Sequence, residues 1–129
     1  MIPVIVETTI NTRIATLGYD VAWANVNFTP ADDLYLRVSY LESRPESEAF
    51  GGDRTRAIVQ VDVVDRKGRG AIKAATVANA LEALFTFNTR ITASPHTIRV
   101  DGEPYSSTRL NDNDNGWFFI PVSIPFEVN

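Results

Sequence analysis

The sequence predicts an α+β fold in which two α-helices pack on a mostly antiparallel β-sheet. Two stretches have apolar residues at helical spacing, one near the N-terminus and one in the middle of the chain, and the stretches around them alternate apolar and polar residues as strands do. The predicted order is α-β-β-β-α-β-β-β, without the regular strand–helix alternation of a parallel sheet. With 129 residues, the chain has the length of a single domain, residues 1–129.

The composition excludes several classes of protein. Hydrophobic residues make up 44% of the chain and charged residues 22%, which is typical of a globular domain and not of a disordered one. The absence of cysteine excludes disulfides, thiolate metal sites and thiol nucleophiles, and a single histidine excludes a two-histidine metal site within one chain. We therefore expect no enzyme activity, no cofactor and no metal.

The charge and the N-terminal segment bear on partners and location. Twelve basic and 16 acidic residues give a net charge of -4, the wrong sign for a protein whose whole surface binds nucleic acid or anionic lipid. The apolar segment at residues 1–6 is too short for a signal peptide or a membrane span. We expect the protein to be made and kept in the cytoplasm, with no membrane partner.

The first helix is predicted over residues 3–17. Pro3 is favourable in a first helical turn, and Gly18 can end the helix. One apolar stripe follows the helical repeat and comprises Val6, Ile10, Ile14 and Leu17. Because β-branched residues are frequent at positions 4–10 and lower helix propensity, a strand is the alternative for that stretch.

Two alternating stretches after this helix predict a hairpin. Strands are predicted over residues 34–41 and 56–64, with a short extended segment before them at residues 21–28. The predicted core faces comprise Leu34, Leu36, Val38 and Tyr40 on the first strand and Val59, Val61 and Val63 on the second. Since the two strands are adjacent in sequence, we expect them to pair antiparallel.

The segment between these strands, residues 42–55, is a long loop that we call the arm. A loop of this length is uncommon inside a compact domain and is usually either functional or disordered. Phe50 is a single aromatic residue on a polar segment and Gly51-Gly52 supplies a hinge, so one hypothesis is that the arm orders on a neighbouring subunit; disorder is the other. The interface residues predicted here are Arg44, Phe50, Asp53, Arg54 and Arg56.

The second helix is predicted from the most regular apolar stripe in the chain, which comprises Ala74, Val77, Ala78, Leu81, Leu84 and Phe85. The turn before it contains the basic residues Arg66, Lys67 and Arg69, which we add to the predicted interface. A helix N-terminus favours anions, but the Walker pattern is absent. A solvated turn, contact with a nucleic acid that passes nearby, and contact with an acidic patch on a partner all remain open.

Short strands are predicted over residues 90–92, 97–100 and 107–110, followed by a long last strand from residue 118. Pro121 and Pro125 lack N–H donors on the same lateral side of this strand, so we expect a sheet edge there, or a seam closed by side chains. The even positions of the strand form one apolar face: Phe118, Ile120, Val122, Ile124 and Phe126.

Two further patterns are weak candidates for chemistry. The Asn- and Asp-rich residues 111–116 offer oxygen ligands for calcium, but the EF-hand spacing fails, and Asn115-Gly116 is typical of a two-residue hairpin turn. His96 has serines nearby in sequence, but no nucleophile elbow surrounds them. A surface histidine that is solvated or hydrogen-bonded is the better interpretation.

Four segments follow one another in order along the whole chain. They are residues 23–30 (Trp-Ala-Asn-Val-Asn-Phe-Thr-Pro), 35–38 (Tyr-Leu-Arg-Val), 58–63 (Ile-Val-Gln-Val-Asp-Val) and 116–126, from Gly-Trp-Phe to Pro-Val-Ser-Ile-Pro-Phe. Each segment alone is a weak signal. As an ordered set, they resemble the tail terminator (tail completion) proteins of long-tailed bacteriophages, which include the lambda-type terminator.

The resemblance implies an α+β subunit that assembles as a ring, usually a hexamer, at the end of the tail tube nearest the head. Such a ring is assembled in the host cytoplasm, caps the polymerising major tail (tube) protein and presents a surface to head–tail connector proteins. DNA passes through the ring lumen without specific binding. The family has no catalytic residues, so the predicted interface residues would contact another subunit or the tail tube.

Other classes of protein remain as alternatives. A head–tail connector or neck protein of the virion would share the size, the acidity and the ring assembly, and binding to head portals instead of tail tubes would identify it. A small ligand-binding module is favoured only if a closed apolar pocket exists. A hydrolase is the least supported alternative.

Overall fold

The computed structural model describes residues 2–24, 26, 28–29, 33–42, 55–68, 70–107, 110–111 and 116–129. These residues form two helices and a curled sheet of eight strands, which confirms the α+β class. The helices are α1 (Val4–Ala15) and α2 (Ile72–Leu84). The strands are β1 (Asp20–Ala22), β2 (Tyr35–Glu42), β3 (Thr55–Arg66), β4 (Arg90–Ala93), β5 (His96–Val100), β6 (Tyr105–Ser106), β7 (Leu110–Asn111) and β8 (Trp117–Val128).

The sheet has the order β1-β2-β3-β8-β5-β4, and β6 and β7 also pair with β8. The pairs are antiparallel except for β1 with β2. The predicted hairpin is confirmed, because β2 pairs with β3 from Tyr35 opposite Val64 to Glu42 opposite Ala57. The arm leaves the sheet at the end of this hairpin, and its residues 43–54 lie outside the described residues.

Both helices bury the apolar stripes that the sequence predicts. Helix α1 buries Val6, Ile10 and Ile14, and α2 buries Ala74, Val77, Ala78 and Leu81. They pack on the sheet face formed by Val59, Val61 and Val63 of β3 and the even positions of β8. The strand alternative for residues 4–10 is wrong, because burial of this stripe outweighs the low helix propensity of its β-branched residues.

The last strand corrects one prediction, since β8 is not a sheet edge. It pairs with β3 along its whole length on one side and with β5, β6 and β7 on the other. Pro121 and Pro125 fall between these short partners, and their carbonyls accept hydrogen bonds from the N–H groups of Ser107 (2.9 Å) and Asp101 (3.0 Å). Because proline lacks a donor but keeps its acceptor, the two prolines interrupt the ladder without ending the sheet.

The short strands also differ from the prediction. The predicted strand over residues 107–110 is wrong: two strands of two residues, β6 and β7, pair with β8 on either side of Pro121. Five strands, β4 to β8, therefore follow α2, whereas the sequence predicts three short strands and the long last strand. Of the extended segment predicted at residues 21–28, Val21 and Ala22 belong to β1, and no other residue that the structure describes there is in a strand. Gly116 has the positive φ of 90° expected for a hairpin turn, and Asn115 lies outside the described residues.

A partly buried tyrosine joins the first helix to the sheet. The hydroxyl of Tyr40 on β2 donates a hydrogen bond to Oδ1 of Asn11 on α1. Burial raises the pKa of Tyr40 well above its ordinary value, and the charge of Glu7 raises it further. The folded protein therefore retains this proton at pH values where the unfolded chain loses it.

The variant Tyr40→Phe should lose part of the alkaline pH dependence of stability. The raised pKa of Tyr40 contributes stability that is complete below the unfolded pKa of about 10 and that is lost as the pH rises towards the folded pKa. Urea unfolding at several values between about pH 9 and about pH 11 should show a steeper loss for the wild type than for the variant. Tyr105 is exposed and offers a matched control, since Tyr105→Phe should show the same dependence of stability on pH as the wild type. Equal slopes for Tyr40→Phe and the wild type would contradict the assignment.

Candidate assembly surface

The sheet face that points away from the helices combines arginines with aromatic side chains. We call it the outer face and define it by the odd positions of β8 and their cross-strand partners. Side chains directly opposite in paired strands lie on the same face, so the register determines its members. They include Tyr35, Arg37, Arg56, Asp62, Val64, Arg66, Arg90, Arg99, Tyr105, Leu110, Trp117, Phe119 and Glu127.

One end of the outer face is an aromatic cluster. The ring centroid of Tyr35 lies 4.9 Å from that of Phe28 and 5.5 Å from that of Trp117. The guanidinium of Arg66 lies 4.2 Å from the centroid of the Trp117 ring, within the range of a cation–π interaction. Val64 is fully buried on this face although no helix covers it. The aromatic rings therefore form a small second core.

The middle of the outer face is held by a charged hydrogen-bond network. Nε of Arg37 donates to Oδ2 of the buried Asp62 at 3.0 Å, and Nε2 of Gln60 donates to Oδ1 of the same carboxylate at 3.0 Å. The Arg37 guanidinium also lies 5.0 Å from the centroid of the Phe119 ring. The buried carboxylate is thus paired on both oxygens, and Arg37 is held flat against the sheet.

The other end of the outer face is rich in arginine. Nε of Arg99 donates to Oε1 of the buried Glu127 at 2.7 Å, and Nη2 of Arg99 lies 3.6 Å from Oδ1 of Asp101. Nε of Arg56 lies 3.7 Å from Oδ2 of the same aspartate. The hydrogen bond to Glu127 raises the pKa of Arg99, so this guanidinium stays charged. Arg90 stands opposite Arg99 in the register.

The outer face differs in charge from the rest of the chain. Five arginines lie on it, at positions 37, 56, 66, 90 and 99, against the carboxylates of Asp62, Asp101 and Glu127, an excess of two positive charges in a chain of net charge -4. Tyr105 and Leu110 add exposed apolar surface at 54% and 47% exposure. Arginine and aromatic residues are enriched where proteins bind one another. This composition indicates a protein-contact surface.

The predicted interface residues fall in different places. Arg56 and Arg66 lie on the outer face at opposite ends of β3, about 33 Å apart at strand spacing. Lys67 is in the exposed turn after β3, and its N–H donates to the carbonyl of Gly116 at 2.6 Å. Four residues of the arm, Arg44, Phe50, Asp53 and Arg54, and also Arg69, lie outside the described residues. The structure does not join Arg56 to the basic turn.

Sequence reasoning missed Arg37, Arg90 and Arg99 as members of this surface. Alternation already placed Arg37 opposite the core face of its strand. The pairing of β8 with β5 brings Arg99 onto Glu127, and no local pattern predicts the pairing of segments that distant. The missing signal is therefore the register between β8 and its partners.

The concave surfaces of the described residues do not resemble an active site. One of them is an open groove of about 460 Å³ between α1 and the β1–β2 region, lined by Thr8, Asn11, Trp23 and Tyr40 among others. It is not the closed apolar pocket that would favour a ligand-binding module. Nδ1 of His96 lies 3.1 Å from the backbone oxygen of Asn129.

Neither a metal-ligand cluster nor a membrane-spanning helix occurs in the part of the chain that the structure describes. No group of three or more His, Asp or Glu side chains is arranged there to hold an ion. Neither α1 nor α2 is long and apolar enough to cross a bilayer. The fold and the outer face define a small α+β protein with one surface rich in arginine and aromatic side chains.

Comparison with known proteins identifies the family. Residues 4–126 match the family described as "Phage tail terminator protein", and the chain belongs to this family. The resemblance stated from the sequence is thereby confirmed. The protein has a structural role in phage tails and is a component of the virion.

The solved structures support the same fold. Three chains among them match, and one has a TM-score of 0.80 and 26% sequence identity, with 97% of this chain and 94% of that chain covered. Because the match extends over nearly the whole of both chains, the two proteins share the complete α+β architecture. A search of curated proteins finds no match.

Proposed function

We propose that this protein caps the head-proximal end of the tail tube as a ring, usually of six subunits, which ends polymerisation of the tube and provides the surface for head joining. The observation that carries the proposal is the family match over residues 4–126, nearly the whole chain. In this proposal the partners are other copies of the chain, the major tail (tube) protein and head–tail connector proteins.

The described surfaces suit a closed ring. A ring of identical subunits needs two different surfaces on each subunit, which meet head to tail. The outer face, with its aromatic and arginine side chains, is one such surface, and the helix side with its open groove differs from it in shape. The arm, residues 42–55, is a third element available for contact with a neighbour.

DNA that passes through the ring should not bind it tightly. Tight binding requires several cations that release counterions from the phosphate backbone. Arg37, Arg56 and Arg99 on the outer face are already paired with carboxylates of the same subunit. The chain as a whole is acidic, which favours passage over binding.

The test is negative-stain electron microscopy of tails from a phage that lacks its terminator gene. Such tails should have uncontrolled lengths, and adding this protein during assembly should restore one length and permit head joining. Tyr105→Glu changes an outer-face side chain that is 54% exposed; it serves as the matched comparison and should restore fewer tails, with circular dichroism as the check on its fold. Tails that stay uncorrected by the wild-type protein, or protein found only on head portals, would instead support the neck-protein alternative.

A further inference from the structure

The outward positions of the two helices carry no charge. Because the buried stripes of α1 and α2 pack on the sheet, the opposite positions of each helix point away from it. We call these positions the helix layer: Val4, Ile5, Thr8, Thr12 and Ala15 of α1, and Ile72, Ala75, Thr76, Asn79 and Ala83 of α2. All of them are exposed and uncharged, although charged residues make up 22% of the chain. The outward side of a helix that faces water usually carries charged residues, so the helix layer has an unusual composition for a solvated surface.

The charged side chains of the helices lie beside this layer and are engaged within the subunit. Nζ of Lys73 lies 2.9 Å from Oδ1 of Asp33. Nε of Arg13 donates a hydrogen bond of 2.9 Å to the last carbonyl of α2, and Oε1 of Glu82 accepts one of 2.6 Å from a hydroxyl of β6. Glu7 lines the open groove between α1 and the sheet. The helix layer is therefore bordered by these charges but contains none of them.

The threonines make the helix layer more apolar than their side chains suggest. Oγ1 of Thr12 donates to the carbonyl of Thr8 at 2.9 Å, and Oγ1 of Thr76 donates to the carbonyl of Ile72 at 2.8 Å. Because the helix backbone accepts these hydrogen bonds, the hydroxyls need no partner outside the subunit and the methyl groups remain for contact. Ile72 and Val4 are large apolar residues that are 84% and 73% exposed. Exposed apolar surface of this kind marks sites of contact between proteins.

Two rows of the outer face, between the network of Arg37 and the arginine-rich end, are also uncharged. The register places three apolar residues side by side across β2, β3 and β8: Leu41, Ile58 and Pro125. The neighbouring row runs across the same strands to β6: Ser39, Gln60, Ser123 and Tyr105. We call these two rows the central rows. Their most exposed members are Leu41 at 55% and Tyr105 at 54%.

We propose that the helix layer of one copy of the chain packs on the central rows of a second copy, and that this contact repeats around the ring. The proposal rests on the ring assembly proposed above. The helix layer and the central rows lie on opposite sides of the same sheet, so each copy offers one surface of each kind. Such a contact is heterologous, as a closed ring of identical subunits requires.

The two surfaces match in polarity and in the size of their side chains. Neither contains a charge that would lose its hydration on contact, so their burial avoids the largest cost of removing water. The alanines and threonines of the helix layer permit close approach, and Leu41 and Tyr105 are large side chains that can fill the grooves between them. Tyrosine is also enriched in protein interfaces.

Other partners suit the helix layer less well. Duplex DNA requires cations that contact phosphates, and the one exposed cation of α1 and α2, both of which the structure describes completely, is Lys73 in its ion pair with Asp33. Two helix layers packed on each other would form a closed pair and would leave no equivalent surface for a third copy. A second copy that contributes its central rows extends the assembly at every step.

The first experiment introduces a charge into the helix layer. Thr76→Glu should raise the protein concentration needed for half-maximal assembly by about tenfold or more, measured by light scattering after gel filtration, because the contact would bury an unpaired carboxylate. Thr92→Glu makes the same change at an exposed position of β4, outside both surfaces, and should assemble as the wild type does. Circular dichroism establishes that both variants are folded. Assembly of Thr76→Glu at the wild-type concentration would overturn the proposal.

The second experiment uses the absence of cysteine from the chain. Thr76→Cys and Ser39→Cys in one chain place one thiol on the helix layer and one on the central rows. A short bis-maleimide should then join subunits into a ladder on a denaturing gel, whereas either variant alone should stay monomeric, because each contact has one cysteine. The sheet separates the two thiols within a subunit, so the ladder reports contacts between subunits.

The cross-linking is carried out both on the purified protein and on tails capped with it. Absence of a ladder from the double variant in both preparations would contradict the proposal. Cross-linked dimers of Thr76→Cys alone would overturn it in favour of paired helix layers. A product that joins Thr76→Cys to the tube protein would overturn it in favour of the tail tube as the partner of the helix layer.

The two proposals fail in distinguishable ways. If the wild-type protein does not correct tail length, the terminator function is wrong. If the wild-type protein corrects tail length and Thr76→Glu does so at the same concentration, the function stands and the contact between the helix layer and the central rows is wrong.

Discussion

Replacing Phe126 by alanine should lower the free energy of unfolding by about 3–5 kcal/mol. Phe126 is 1% exposed and lies in the centre of the sheet, between Ala57 of β3 and Val100 of β5. The substitution removes most of a buried ring and leaves a cavity that the paired strands around it cannot close. The expected loss is a large share of the total stability of a domain, about 5–15 kcal/mol.

Urea unfolding followed by tryptophan fluorescence measures this effect, since both Trp23 and Trp117 pack on the folded protein. Leu41→Ala is the matched control, because Leu41 is 55% exposed and its truncation should change the free energy of unfolding by less than about 0.5 kcal/mol. Similar midpoints for the two variants would mean that β8 is not the central strand of the core.

Deletion of residues 45–53 should abolish assembly and leave the subunit folded. The residues that remain between Glu42 and Thr55 still connect two strands that end side by side, and hairpin loops of about 3–5 residues are common. The arm therefore should contribute to contacts between subunits and little to the stability of one subunit.

Gel filtration with light scattering, over a range of protein and magnesium concentrations, measures the assembly of the deletion variant. Circular dichroism and urea unfolding check that its subunit is unchanged. A variant in which residues 45–53 are replaced by the same number of glycine and serine residues separates the length of the arm from its side chains, and Phe50→Ala tests the aromatic anchor alone. A deletion variant that assembles as the wild type does would refute the role of the arm.

Patterns that repeat within one segment were sufficient to predict most of the elements. The stripes of α1 and α2 and the alternation of β2 and β3 report which side of each element is apolar, and the structure buries those sides. Local adjacency was also sufficient for the hairpin of β2 with β3. The family could be recognised because its segments occur in a fixed order along the chain.

The position of β8 within the sheet could not be predicted from local patterns. The two prolines correctly indicate a lateral side without regular pairing, but the inference to a sheet edge ignored the carbonyls of Pro121 and Pro125. Each carbonyl accepts a hydrogen bond from a segment that is distant in the chain. Whether a neighbour supplies such donors depends on how the chain after α2 returns to the sheet, which no pattern within β8 describes.

The sequence by itself determined the α+β class, both helices, the central hairpin and membership of the phage tail terminator family, because each depends on residues that are close together or follow in order. Only the tertiary structure decided that β8 lies at the centre of the sheet and that Arg37, Arg90 and Arg99 share one face with Trp117 and Phe119. Pairing between distant strands depends on register, and a register is a relation between segments that neither segment contains alone. The members of the candidate assembly surface are set by the register between distant strands, so they could be identified only from the folded structure.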